Sequence, residues 1–234
     1  GFEVCTRIRA NPKTRFLPVV MVTALSDPSD RVRGLEAGAD DFLTKPVNDL
    51  ALFARVRSLV RLKMMMDEWR MREQTSGQFD ILTAEAEPGP EDDRNAEILL
   101  VESFQPAAQR IVGVLSGDGN KVEVADSIAK GMEAASKARH DLIITNIQVA
   151  GEDGLRLCSH LRSQEETRQV PILLIVEDYD MPRLIKGLDI GASDYLMKPI
   201  DPNELLARVR IQIRRRRYQD RLRANFERSL SLAL

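Results

Sequence analysis

The chain repeats itself. Pairing Gly1 with Gly154, an offset of 153 residues, gives a register that holds without a gap to about Arg61. Gly34-Leu35 falls on Gly187-Leu188, Gly38-Ala39 on Gly191-Ala192, Lys45-Pro46 on Lys198-Pro199, and Ala54-Arg55-Val56-Arg57 on Ala207-Arg208-Val209-Arg210. About a third of the aligned positions are identical, and the unit is longer than a solenoid repeat. The 234 residues therefore read as two copies of one domain, the first cut at its N-terminus. Whatever fold one copy takes, the other must share.

The complete second copy alternates short apolar runs with amphipathic stretches. Strands are expected at Ile98–Val101, Val122–Val124, Asp141–Thr145, Pro171–Val176 and Asp194–Met197, and helices at about 105–115, 127–139, 155–163, 182–190 and from about Asn203 onward. Five strand–helix pairs imply an α/β doubly wound parallel sheet with right-handed crossovers, whose ligand chemistry lies at the carboxyl ends of the strands. The first copy retains only the last half: helix Phe2–Arg9, strand Val19–Val22, helix Arg31–Glu36, strand Asp41–Leu43 and a helix from about Asp49 to Glu73. With two of five strands it is expected to be unfolded, aggregated or completed by another chain. The domain bounds read 1–73, an acidic flexible linker over 74–96, a second domain over 97–215, and a helical stalk over 216–234.

Composition excludes several classes. The formal net charge of -2 gives no global pull toward nucleic acid or anionic lipid. No apolar run approaches the roughly 18 residues of a spanning helix, and residues 1–10 lack a signal-peptide layout. The two cysteines, Cys5 and Cys158, occupy equivalent repeat positions and read as buried packing in a reducing, cytoplasmic setting.

At the strand ends of the first copy sit Thr23 and Lys45-Pro46, a hydroxyl and an ammonium that can both donate to one phosphoryl group, with Pro46 fixing the lysine loop if its peptide is cis. Phe42, three residues before Lys45, is placed to move between exposed and buried positions. Together with VVMVTA, GADDFLTKP and GASDYLMKP, this pattern resembles the receiver domain of two-component response regulators. The resemblance implies a flavodoxin-like, CheY-like fold. It also implies a switch built of Thr23, Phe42, Lys45 and Pro46, a phosphoryl-accepting Asp eight residues before the glycine of the third helix, and an acidic pair that binds Mg²⁺. In the first copy the last two positions precede Gly1, so Mg²⁺ is expected only for an intact first receiver.

The second copy has lost most of that set. The acceptor position is Asn146, neither an anionic nucleophile nor a strong Mg²⁺ ligand. The acidic pair is reduced to Glu102-Ser103, and the position of Thr23 is Val176. Only Lys198-Pro199 and Tyr195 remain, so this is expected to be a degenerate receiver kept for packing and dimer contacts.

The tandem arrangement resembles the regulatory half of the PleD-type diguanylate cyclases, through DFLTKPVNDLALFARVRSLVRLKMMMDE and the closing RRRRYQDRLRANFERSLSLAL. The resemblance implies a histidine kinase or phosphotransferase as partner, and a homodimer through the helix–strand–helix face of the first receiver at about Arg31–Lys63. It further implies a GTP-using GGDEF domain beyond Leu234. No GGDEF or GGEEF sequence occurs in the 234 residues, so no enzymatic activity or cofactor is expected of this chain itself. A response regulator with a DNA-binding output, or a free-standing interaction scaffold, are the alternatives.

Weaker signals have blander readings. Arg214-Arg215-Arg216-Arg217 points in all directions around a helix and reads as a solvated stalk. Beyond it Tyr218, Leu222, Phe226 and Leu230 continue an apolar stripe. Met64-Met65-Met66 and Trp69 fit a partner surface or a core contact equally well, and His140 and His160 have no companions at ligand spacing.

Overall fold

A computed structural model of the protein describes residues 1–24, 27–47, 49–75, 94–177 and 180–232. Most of the expected linker, residues 76–93, therefore lies outside the described residues. The first copy comprises α1 (Phe2–Ala10), β1 (Val20–Thr23), α2 (Pro28–Glu36), β2 (Asp41–Thr44) and α3 (Asp49–Thr75). β1 and β2 are parallel, in register from Val20 opposite Asp41 to Thr23 opposite Thr44. α2 starts where it does because Asp27 accepts the amide of Ser29 and Pro28 occupies the first turn.

The second copy follows as β3 (Glu97–Val101), α4 (Gln105–Gly117), β4 (Lys121–Ala125), α5 (Ile128–Lys137) and β5 (Leu142–Asn146). After these come a two-residue ribbon of β6 (Gln148–Val149) and β7 (Glu152–Asp153), then α6 (Leu155–Ser163), β8 (Ile172–Val176), α7 (Met181–Ile190), β9 (Asp194–Met197) and α8 (Pro202–Leu232). The five main strands are parallel in the order β4-β3-β5-β8-β9. Side chains alternate between two cores, as period-two strands require. Leu99, Ile143 and Leu174 face Leu157, Leu161 and Leu184 on one side. Leu100, Ile144 and Leu173 face Ile111, Leu115, Leu205, Val209 and Ile213 on the other. Because helices cover both faces, every residue of β5 and β8 is buried.

The first copy buries its last helix less completely. Val56 and Val60, counterparts of the fully buried Val209 and Ile213, are 42% and 46% exposed. Its small core gathers Cys5, Leu35, Ala39 and Phe42. Expected to be unfolded, aggregated or completed by another chain, the first copy has its two strands and three helices formed in the structure. Support comes from within the chain: α2 packs on α8, and α3 packs on α7 and α8. The face at about Arg31–Lys63, expected to make a homodimer, is thus turned toward the second copy of its own chain.

Candidate functional site

The strand ends carry the expected residues where the repeat placed them. Thr23 closes β1 and is half-buried, and its carbonyl accepts the amide of Lys45 at 2.8 Å. The Lys45-Pro46 peptide is cis, as is Lys198-Pro199. Lys45 is exposed. Phe42 points inward and is buried; a Cβ on Gly34 would lie 1.9 Å from Phe42 Cζ, so only glycine leaves room for the ring on α2.

In the second copy the counterparts are brought together but otherwise engaged. Asn146, at the end of β5, donates from Nδ2 to Glu102 Oε2 at 3.0 Å, while Glu102 Oε1 accepts the amide of Phe104 at 2.8 Å. Both oxygens of this buried carboxylate are thereby used. Ser103 Oγ accepts the amide of Ala150 at 2.9 Å. A single satisfied carboxylate, an amide and a hydroxyl do not fit Mg²⁺, which wants hard anionic oxygens and near-octahedral geometry. Val176 is fully buried and contributes only its carbonyl, to the amide of Lys198 at 2.9 Å. Lys198 Nζ is paired with Glu177 Oε1 at 2.8 Å. Sequence reading did not single out Glu177, although an acid directly after a strand end, across from a lysine, was visible there.

The two aromatics differ in place. Around Gly187, the counterpart of Gly34, the nearest groups are Leu174 and Leu155 rather than Tyr195. Tyr195 instead lies beneath Arg55, whose guanidinium carbon is 4.3 Å from the ring centroid, with Arg208 at 5.6 Å. Burial and the nearby Asp41 charge push its phenol above the ordinary value.

Those arginines belong to a buried charge network between the copies. Asp41 and Asp194 are repeat equivalents, as are Arg55 and Arg208, and all four are buried. Arg208 Nη1 donates to Asp41 Oδ1 at 3.0 Å and to Asp194 Oδ1 at 2.8 Å, and Arg208 Nε donates to Glu204 Oε1 at 3.0 Å. Arg55 Nη2 stands 2.9 Å from Asp194 Oδ1, and its Nε contacts Asp41. These Arg55 contacts are ion pairs without aligned hydrogen bonds, whereas those of Arg208 are both. Gln212 Nε2 donates to Asp194 Oδ2 at 3.2 Å. Burial alone would raise the pKa of Asp194, but Arg208 and Arg55 outweigh it and hold the carboxyl below its usual range. At the rim, Arg57 pairs with Asp189 at 2.8 Å, Arg31 with Glu204 at 3.4 Å, and Arg215 with Asp40.

The arginine run of α8 is not simply solvated. Arg215 reaches Asp40, Arg216 pairs with Asp220 at 3.1 Å, and Arg217 pairs with Asp141 at 3.6 Å. Tyr218 stacks on Phe16 of the first copy with ring centroids 5.8 Å apart. Leu222 is buried; the side chains of Phe226 and Leu230, and those of Met65, Met66 and Trp69, lie outside the described residues. Met64 is exposed. Cys5 and Cys158 are free and buried, and His140 sits 3.1 Å from Glu123 Oε2. Among the described residues no helix is long and apolar enough to cross a membrane.

A parallel sheet of this order, with a Thr or its replacement, an aromatic and a Lys-Pro at the carboxyl ends, defines the receiver class. The chain belongs to the response regulator receiver domain family, whose profile matches residues 1–57 and 98–210. It is 43% identical over 234 residues to the response regulator PleD of Caulobacter vibrioides, a match that takes in all of this chain and 51% of that protein. It is 37% identical over 122 residues to the transcriptional regulatory protein PcoR of Escherichia coli, covering 52% of this chain and 53% of that one. The chain spans about half the length of the curated relatives it matches. Among solved structures, NtrX from Brucella abortus aligns with a TM-score of 0.52 at 20% identity, over 55% of this chain and 29% of that chain, which shows the shared fold.

Proposed function

We propose that this chain is the regulatory module of a cytoplasmic response regulator that controls cyclic-di-GMP synthesis. In this reading the first receiver, in its complete form, accepts a phosphoryl group from a histidine kinase or phosphotransferase on an Asp that precedes Gly1, with Mg²⁺ bound by acids of that same missing half. Thr23 and Lys45 then follow the phosphoryl oxygens, and Phe42 holds the inward position it has over Gly34. The second receiver does not take part in phosphoryl chemistry, because Asn146 replaces the acceptor and Lys198 is tied to Glu177. Its task is mechanical: it offers β9, α7 and α8 as the surface on which β2, α2 and α3 dock.

The observation that carries the reading is the buried network of Asp41, Arg55, Asp194 and Arg208, joined to the rim contacts Arg215–Asp40 and Tyr218–Phe16. Through these, the switch-bearing receiver grips the helix that leaves the second receiver. A change in β2 and α2 on phosphorylation is thereby presented to α8, which runs unbroken to Leu232. A population shift through this grip requires contacts that differ between two states by a few kcal/mol. Pairing of two such modules would bring two GTP-using output domains together. The identity with PleD over the whole chain supports this output over a DNA-binding one, since likeness to the DNA-binding regulator MtrA covers 53% of the chain.

The test uses the gene product that contains these residues together with its output domain. Leu222→Ser with Phe226→Ser should leave phosphorylation intact and uncouple it from cyclic-di-GMP formation. Unchanged phosphodonor-dependent synthesis in the double variant would refute the relay through α8. Phosphodonor-dependent DNA binding with no cyclic-di-GMP formed would favour the alternative output.

A further inference from the structure

The repeat lets the contact between the receivers be read from both sides. At its centre it is symmetric, since Asp41 and Arg55 of the first receiver meet Asp194 and Arg208 of the second, like for like. Where α8 leaves the second receiver it is not. In the first receiver Arg9, at the end of α1, donates to the carbonyls of Gly38 (2.7 Å), Arg15 (2.7 Å) and Leu17 (2.6 Å). The carbonyls on either side of Phe16 are thereby fixed, and its ring is presented to α8. The Arg15 guanidinium carbon lies 4.6 Å from the centroid of that ring, which stacks on Tyr218 at 5.8 Å with 21° between the planes. Arg9 Nη2 also meets Asp40 Oδ2 at 2.8 Å, an oxygen that accepts the amide of Val19, while Asp40 Oδ1 pairs with Arg215. Arg215 and Tyr218, three residues apart, share one face of α8. The first receiver thus holds the helix at two points, a charge and a ring, both positioned by Arg9.

The second receiver keeps the scaffold and lacks the grips. Arg162, the counterpart of Arg9, donates to the carbonyls of Gly191 and Val170 at 2.8 Å each, the counterparts of Gly38 and Leu17. Ser193 stands in the place of Asp40, and its Oγ still accepts the amide of Ile172 at 3.3 Å, as Asp40 accepts that of Val19. Gln169 stands in the place of Phe16. On α3 the same register puts Leu62 and Met65 at the positions of Arg215 and Tyr218. From Gln169, Ser193, Leu62 and Met65 neither an ion pair nor a ring stack can form. The second receiver does hold α3 through Arg57 and Asp189 at 2.8 Å, but both are well exposed and lie within the turns that close the first receiver. Four positions therefore differ together, two on each side of the contact, while the arginine that shapes the loop is the same.

We propose that Phe16 and Asp40 form a one-way clamp, two positioning residues through which the first receiver sets the course of α8, with no equivalent hold by the second receiver on the end of α3. Resting on the regulatory reading above, the clamp gives the relay a direction. Asp40 directly precedes β2, and the loop that carries Phe16 leads into β1, so a displacement of either strand reaches α8 at Arg215 and Tyr218. These residues lie just past Ile213, which belongs to the core of the second receiver, so the helix is caught where it leaves that core. A displacement of β8 or β9 meets no such hold on α3.

The test is amide hydrogen exchange on the full chain. Phe16→Gln with Asp40→Ser installs the residues that the same scaffold carries in the second receiver, so the fold should hold. Amides of α8 over 215–222 should then exchange about tenfold faster, the combined effect of an aromatic pair and a half-buried ion pair, and those over 204–212 as slowly as before. Arg215→Leu with Tyr218→Met, the residues of α3, removes the clamp from the other side and should give the same acceleration, which keeps the test decisive if the first pair of changes unfolds its receiver. Phe16→Tyr retains a ring and should retain the protection. Gln169→Ala, the mirror change, should leave exchange in α3 unaltered. Unchanged exchange over 215–222 in a folded double variant would overturn the proposal, as would equal acceleration in Phe16→Tyr or acceleration of α3 by Gln169→Ala. No output domain enters this measurement, so its failure is distinct from failure of the cyclic-di-GMP reading, which phosphodonor-dependent synthesis decides.

Discussion

Arg55→Met removes a cation that stands between two buried carboxylates, Asp41 of its own receiver and Asp194 of the other. Breaking a buried pair by deleting one partner costs about 3–5 kcal/mol, because the remaining charge is left desolvated. Arg208 still donates to both carboxylates, and the Arg55 contacts are the less well aligned, so the lower end, about 3 kcal/mol, applies. That corresponds to about a hundredfold loss in the docking equilibrium between the receivers. The second receiver should hold its own fold, since Asp194 keeps Arg208 and Gln212. Hydrogen exchange separates the two effects: amides of α2 and β2 should exchange about a hundredfold faster, while those of β5 and β8 stay as slow as before. Adding Asp41→Asn removes the stranded carboxylate and should recover part of the loss, giving a non-additive cycle. Unchanged exchange in β2, or equal acceleration in β5 and β8, would refute the assignment of this network as the docking contact.

Three other outcomes follow from the same geometry. Incubation of the chain with acetyl phosphate and Mg²⁺ should add no phosphoryl group by intact mass, because Asn146 replaces the acceptor and Glu102 is fully engaged; one phosphoryl group on residues 97–215 would contradict this. Since the carboxyl of Asp194 titrates below its usual value when folded, its contribution is complete above about pH 4 and is lost as pH falls below that. Docking measured by exchange should therefore weaken as pH falls below about 4, and Asp194→Asn should flatten that dependence. Burial raises the Cys158 thiol to about 12 and also raises that of Cys5, so neither should react with a thiol reagent at pH 8 until the protein unfolds; prompt labelling of Cys158 would place it outside the core.

The architecture of each receiver was legible because its signals are local. Apolar runs such as ILLV and PILLIV mark strands buried on both faces, and the repeat let each half confirm the other to within about three residues. The placement of Asn146 and Val176 was legible too, since each ends an apolar run that reads as a strand. The β6–β7 ribbon was not, because two-residue strands carry no period. The docking of the receivers was missed for a different reason. Asp41, Arg55, Asp194 and Arg208 read singly as surface charges, and only the presence of the other half makes their burial tolerable. A clue lay in the repeat itself: the same Asp at the start of the last strand, and the same Arg in the last helix within an identical Ala-Arg-Val-Arg run, recur in both copies. The differing places of Phe42 and Tyr195 depend on those arginines, and so were equally out of reach.

In the proposed function the first receiver reads the signal and the second only carries it. The direct measurement is phosphodonor-dependent cyclic-di-GMP formation by the full-length gene product, compared between Lys45→Ala and Lys198→Ala. These lysines are repeat equivalents on matching loops; Lys45 is exposed at a strand end beside Thr23, and Lys198 is held by Glu177. Lys45→Ala should abolish the phosphodonor response, and Lys198→Ala should leave it intact. Loss of the response in Lys198→Ala with retention in Lys45→Ala would contradict it.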